Sequence, residues 1–464
     1  MNATTHRVNS AVFGAICGGR GGPDAMRSLR AAQRSKVILS IGAVVALARD
    51  TGHPHRTLTT DAYELLREVE RSAPEAVGAV LDYPPVGAWA LRTALALHGG
   101  DSAGGDPAGA EPQRLTAVAA AAATRAARPA RLPLPGWPAG QVVLPSLGVA
   151  VLPAGDAPVE FVAGPAGPEI VAATGRVPVG GPGWHPVPRI RAAHRDLALT
   201  LFFDRLDLGA GPRTDDPTAA RWQAGVESGW RVLVERHRPV ADEFVEAITL
   251  LAPLPEPASG TVSATARHAF GAIAMSSPTG ARSVAVTLAH ELQHAKLSAL
   301  MDLFPLLSPG PAGRHYAPWR PDPRPFSGVL QGVYAHLAIA DFWRREMGGE
   351  HSAQVEYVRW RDAVRTTAAR LLAADRLTEL GRRLVTGVLA EVEGWSETVP
   401  AAARREAAEV AERHRDRWVR AHGPIGRPDP APRFPGAGLA ARDERAARHP
   451  RKVGEVDRFG EVDR

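Results

Sequence analysis

The chain has 464 residues, which is too many for one simple core and suits two or three domains. Apolar residues make up 45% and charged residues 22%, the balance of a folded globular protein rather than a disordered or fibrous one. The formal charge is +6, but the basic residues are almost all scattered arginines without an interleaved aromatic platform, which argues against a nucleic-acid partner and leaves an acidic peptide compatible.

The first residues, "MNATTHRVNSAVFGAICGGRGG", lack the basic start and apolar core of a secretory signal. Apolar stretches such as "VILSIGAVVALA" (37–48) read as too short to span a bilayer, so a cytoplasmic protein with no membrane partner is expected. Cys17 is the single cysteine, so no disulfide can form within the chain and no thiolate cluster can hold a metal. Any metal site must use His, Asp and Glu. Cys17 itself reads as a small buried residue.

Helical spacing of Leu29, Ala32, Val37, Ile38 and Ile41 predicts a helix over 24–50. Residues 61–98 read as helix broken at Pro84-Pro85, and the alanine run in 111–127 is a strong helix former. Between them, "GGDSAGGDPAGAEP" (99–112) reads as a flexible linker. From 131 to 208 proline and glycine punctuate short β-branched runs, which predicts about five strands in an antiparallel sheet. Helix returns over 216–251, a hairpin is expected at 260–277, and helices follow at 281–303, 327–347, 352–394 and 400–421. After about Gly423 the chain is rich in Pro, Arg and Gly and ends in a doubled "GEVDR", which reads as a disordered tail. The fold class expected is α+β, predominantly helical, with a β-rich insert. The divisions are a helical region (1–130), the insert (131–208), a helical metal-binding domain (209–422) and the tail (423–464).

The chemistry centres on "TLAHELQHAKL" (287–297), an H-E-x-x-H pattern. On a helix, His290 and His294 stand one turn apart on one face and can aim both imidazoles at one ion. Glu291 is turned about 100° away, where hydrolases keep the base that activates a metal-bound water. The flank "SVAVTLAHELQHAKLSAL" is apolar, and burying two imidazoles and a carboxylate there is costly unless they are paired or metallated. The alternative is a surface helix with an accidental match.

Two histidines need a third ligand. Position 300 is Leu300, which excludes the compact form with a third histidine six residues on, and 327–347 contains no E-x-x-x-D string. His336, alone in the apolar "SGVLQGVYAHLAIADFWRRE", is the best candidate, although a lone histidine on such a helix is usually a core residue. Asp341, Glu346 and Gln331 are rivals, with His315 and His268 behind them, and Asp341 can equally orient a ligand histidine. The proline-broken loop "RHYAPWRPDPRPFSG" (314–328) concentrates arginines. It is either a plain surface loop, or Arg320 or Arg324 clamps a carboxylate near the metal.

Taken in order, "GGPDAMRSLRAAQRSKVIL", "LAHELQHAKL" and "YAPWRPDPRPFSGVLQGVYAHLAIADFW" resemble the HEXXH-motif domain family associated with ribosomally made, modified peptides. The resemblance covers most of 15–400 and is densest over 281–345. It implies an Fe(II)- and α-ketoglutarate-dependent enzyme that hydroxylates a β-carbon in a precursor peptide. It makes His290 and His294 metal ligands, with His336 placed as the third. Arg320, Arg324 and Tyr334 are then the cosubstrate-binding candidates, and Glu291 stays outside the ligand set. The chain departs from the usual two-histidine, one-carboxylate iron site, since its carboxylate directly follows His290. Two other readings stand beside this one: a zinc metallopeptidase or maturation protease with Glu291 as base, and a non-catalytic module that presents a precursor peptide. The oligomeric state is not legible.

Overall fold

The computed structural model describes residues 5–99, 110–135, 137, 140–152, 158–206, 208, 219–257, 260–310, 313–425 and 457–459. The fold is α+β and mostly helical, with its strands in small sheets. The chain divides into two compact units, Met1–Ile16 with Arg20–Phe304, and Cys17–Gly19 with Pro305–Arg464. The division falls after Phe304, inside the stretch 209–422 that the sequence reading kept as one metal-binding domain.

The first unit opens with helices α1 (Ser10–Cys17, whose last residue joins the second unit), α2 (Gly22–Asp50), α3 (Arg56–Ser72), α4 (Pro74–Leu81), α5 (Pro84–Gly99) and α6 (Leu115–Arg125). The span 61–98 breaks twice rather than once. Ala73 precedes a proline and is extended (φ −147°, ψ 68°), a conformation that ends α3, while Pro74 suits the first turn of α4. The alanines of α6 are buried on every side, which lets neighbouring elements approach closely. Of the expected linker at 99–112, residues 100–109 lie outside the described residues.

By length and composition α2 is able to cross a membrane, with a best window of mean hydropathy 1.4, contrary to the expectation that no apolar stretch is long enough. Within its own unit it is a half-buried helix that packs on α5 and on α8 (Arg238–Ala247). Met26 and Ile41 have no exposed surface, and Arg30 and Arg34 converge on Asp82.

The β-rich insert spans 130–203, and its described residues form nine strands in three sheets, not about five in one. Strands β1 (Ala130–Pro133), β4 (Val159–Gly164), β5 (Gly167–Ala172) and β6 (Gly175–Pro178) form an antiparallel sheet in the order β1-β4-β5-β6. A second antiparallel sheet holds β2 (Gln141–Leu144), β3 (Gly148–Val151) and β7 (Trp184–Pro186). The hairpin of β8 (Arg189–His194) and β9 (Leu197–Phe203) leaves the insert for a third sheet. There β9 runs parallel to β10 (Leu250–Pro253), β10 runs parallel to β12 (Ala272–Met275), and β12 pairs antiparallel with β11 (Thr261–Thr265). The expected hairpin at 260–277 is therefore β11–β12.

Helix α7 (Ala219–Arg236) and α8 occupy the predicted helical block, but its end is strand β10. Leu250 and Leu251 are fully buried between two parallel neighbours, where a continuous apolar run is the rule and helix and strand cannot be told apart by periodicity.

The second unit contains α10 (Phe326–Glu346), α11 (His351–Ala373), α12 (Glu379–Glu393) and α13 (Ala401–His422), with the two-residue strands β13 (Arg314–His315) and β14 (Arg324–Pro325) pairing in the loop before α10. The predicted single helix over 352–394 is two, because Thr378 caps α12 by accepting from the Gly381 N–H at 3.1 Å. Val355, Tyr357 and Val358 of α11 share a core with Val399, Ala403 and Ala407. Cys17 is buried in this unit, and burial pushes its thiol up to about 11 against the pull of Arg383. Beyond Ile425 only Asp457–Phe459 is described, as strand β15; the rest of the expected disordered tail lies outside the described residues.

Candidate metal centre

The histidine pair sits in the middle of α9 (Ala281–Leu303), a deeply buried helix of the first unit. From Val284 to Leu300 every residue is buried except His294, which is partly exposed. Such a helix needs close neighbours. Gly229 of α7 provides one approach, since a Cβ there would stand 2.5 Å from Val284. Lys296 is fully buried and donates to Glu243 of α8 at 2.5 Å, and Glu243 also accepts from the Gly22 N–H at 2.8 Å.

His290 and His294 meet as the helical spacing predicts. Their Nε2 atoms are 3.2 Å apart, with rings 4.7 Å apart and nearly perpendicular. Two neutral imidazoles in that position either share one proton or share one ion. Nitrogens each about 2.1 Å from an ion, at an angle of about 100°, stand roughly this far from each other. The pair therefore fits a divalent metal as two adjacent ligands.

Glu291 has no exposed surface. Its Oε2 accepts a short hydrogen bond from Thr265 Oγ1 on β11, and the same hydroxyl lies 3.2 Å from the Glu291 carbonyl. The other oxygen, Oε1, is buried without a hydrogen-bond partner among the described residues. Thr265 was not singled out by sequence, although its place at the end of the predicted hairpin before the motif helix was the available signal.

His336 belongs to the second unit, in the middle of α10, and is 4% exposed. Its Nδ1 lies 2.8 Å from the Gly332 carbonyl, one turn earlier. Nδ1 is then the protonated nitrogen and the lone pair is on Nε2, the tautomer that metal-bound histidines usually take. Trp319 stacks on the ring at 4.4 Å and 18°, and Trp360 of α11 lies 4.9 Å away. Gly332 makes room for the stack, because a Cβ there would meet Trp319 at 2.4 Å.

Of the rivals for the third ligand, Glu346 is buried on α10, Asp341 is engaged by arginines, and the two histidines are exposed. Asp341 accepts from Arg344 at 2.7 Å and from Arg345 at 3.1 Å. Burial would raise its carboxyl, but the charge of Arg345 and the bonds of Arg344 hold it below the usual range. His315 is exposed beside Phe326, and His268 is exposed in the first unit near Lys36. Among the described residues, no group of three His, Cys, Asp or Glu side chains stands gathered for a metal ion.

The arginine candidates lie together in the second unit. Arg320 donates to Asp322 at 2.9 Å and Arg324 donates to it at 3.3 Å. Both arginines stand two residues from Asp322, and the bend at 321–322 brings their guanidiniums together on its carboxylate. Burial would raise Asp322, but Arg320 and then Arg324 outweigh it and hold the carboxyl low. Tyr334 is buried on α10, 1% exposed.

Neither the family models nor the curated proteins contain a match to this chain.

Proposed function

We propose that the chain is a cytoplasmic Fe(II)- and α-ketoglutarate-dependent hydroxylase that acts on a β-carbon of a ribosomally made precursor peptide. The observation that supports a metal enzyme is the pair of Nε2 atoms 3.2 Å apart on a helix otherwise closed to solvent. Iron, α-ketoglutarate and O2 together supply the oxidant for a C–H bond when bound. His290 and His294 hold the ion, and His336 is assigned as the third ligand on the sequence reading and on its own tautomer. Arg320 or Arg324, with Tyr334 near them in sequence, is assigned to the far carboxylate of the cosubstrate. Those guanidiniums already hold one carboxylate, that of Asp322, and a planar fork suits another. Glu291, tied through Oε2 to Thr265, is left to accept a proton or a hydrogen bond at Oε1 rather than to bind the ion.

Zinc peptidase action is the second reading, and the same Oε1, buried without a partner among the described residues, is what favours it, since such enzymes take their base from the Glu that follows the first histidine. The test treats the metal-free protein with Fe(II), ascorbate, α-ketoglutarate and the precursor peptide encoded beside it. Mass spectrometry should find succinate and a peptide heavier by one oxygen atom. Peptide fragments instead would move the assignment to the peptidase. Iron content of His290→Ala, His294→Ala and His336→Ala should fall at least tenfold in each, and wild-type iron in His336→Ala would remove it from the ligand set.

A further inference from the structure

A cavity of about 360 Å³ lies wholly within the second unit, between α11 and α13 and against the segment before Trp319. Its size is that of a pocket for a drug-sized ligand or two or three side chains. Trp360 and Val358 form an apolar wall, and Ala363, Ala407, Ala408 and Ala411 keep the two helices from filling the space between them. One end is closed by Tyr316, whose hydroxyl lies 3.0 Å from His414 Nδ1. Ala408 and Ala411 are exposed, so the cavity is a groove open along one side.

The charges around it do not balance. Arg359 lies 4.3 Å above the Trp360 ring and pairs with Glu356 at 3.4 Å, while Asp362 pairs with Arg361 at 3.0 Å. That leaves Arg370 and Arg415 against Glu412. Neither arginine has a carboxylate or hydrogen-bond partner among the described residues. The field is positive at the closed end too. Burial lowers His414 to about 4, and the charges of Arg359 and Arg417 push the same way, so its imidazole is neutral at pH 7.

We infer that this groove binds a peptide segment in which apolar side chains alternate with carboxylates. The apolar side chains would lie on Trp360 and the alanines. The carboxylates would pair with Arg370 and Arg415. Two unpaired arginines on opposite helices call for two carboxylates on one chain, which a peptide offers and a simple fatty acid does not. The inference is independent of the metal assignment, since no metal takes part.

The test uses the full chain, without metal, and a fluorescently labelled octapeptide of alternating leucine and glutamate, read by anisotropy. The peptide should bind saturably. Binding should weaken at least tenfold in the Arg370→Glu/Arg415→Glu double variant, which reverses exposed charges, and in Ala411→Trp, which fills the groove from its open side. A leucine–lysine octapeptide should not bind. Absence of saturable binding, equal binding of the lysine peptide, or unchanged affinity in both variants overturns the inference. Tighter binding of a single-stranded oligonucleotide than of the glutamate peptide overturns it as well.

Discussion

At Glu291 a single hydroxyl decides whether a buried carboxylate is tolerated. Thr265 gives one of its oxygens a donor, and the residue has no water-facing surface to fall back on. Thr265→Val keeps the shape of the side chain and removes the donor. An unsatisfied buried acceptor costs about 1–3 kcal/mol. The loss should appear as a lower urea midpoint, with Thr265→Ser close to wild type. Because the hydrogen bonds of Thr265 among the described residues both go to Glu291, metal content in Thr265→Val should stay within twofold of wild type. A Thr265→Val variant as stable as wild type would show that Glu291 does not depend on this bond, and its assigned role outside the ligand set would lose its physical basis.

Helix α9 carries charge into a core, and how it does so determines what it tolerates. Lys296 is fully buried and its partner Glu243, on α8, is 4% exposed. Removing one member of a buried pair leaves an uncompensated charge and typically costs 3–5 kcal/mol, roughly, whereas replacing both with apolar residues is often neutral. Lys296→Met alone should therefore lower unfolding free energy by about 3–5 kcal/mol. The double variant Lys296→Met/Glu243→Leu should recover most of it in a double-mutant cycle, less the bond from the Gly22 N–H. A double variant no more stable than the single one would show that the two charges do not act as a pair. The same helix shows what is legible in a sequence. The meeting of His290 and His294 follows from i,i+4 spacing alone, and the positions of α9, α10 and the β11–β12 hairpin were likewise legible in local sequence. Lys296 and Glu243 lie 53 residues apart, and nothing local links them. Likewise β10 was read as helix because Leu250 and Leu251 are buried on both faces by strands that arrive from 202 and 272, so no alternation marks them. Thr265, Trp319 and Trp360 escaped for the same reason. Each owes its place to a neighbour distant in sequence.

For the whole molecule, individual buried groups respond to acid with opposite signs. In the first, burial raises Asp204 to about 6, against hydrogen bonds from Tyr83 and the Arg205 N–H. Its unfolded value is about 3.9. Between about 4 and 6 the folded unit therefore binds more protons than the unfolded one, so this residue's contribution is full below pH 4 and is lost as pH rises through 6. A shift of two units corresponds to roughly 3 kcal/mol. In the second unit the sign is reversed. His414, lowered to about 4 mainly by burial, must take up a proton on unfolding once pH drops below about 6.5. Asp322, Asp341 and Glu397 are all held low by arginines despite burial, so their stabilisation also goes as pH falls. Scanning calorimetry from pH 7 to pH 4.5 should then resolve two transitions that move apart, with the second unit melting progressively earlier. Asp204→Asn assigns the other transition, because it removes the titrating group without changing the side chain's size. The stability difference between Asp204→Asn and wild type should change by about 2 kcal/mol across this range, with wild type gaining as the pH falls. If the variant and wild type keep a constant difference, Asp204 is ionised in the folded protein throughout, and the buried Tyr83–Asp204 pair holds a charge rather than a proton.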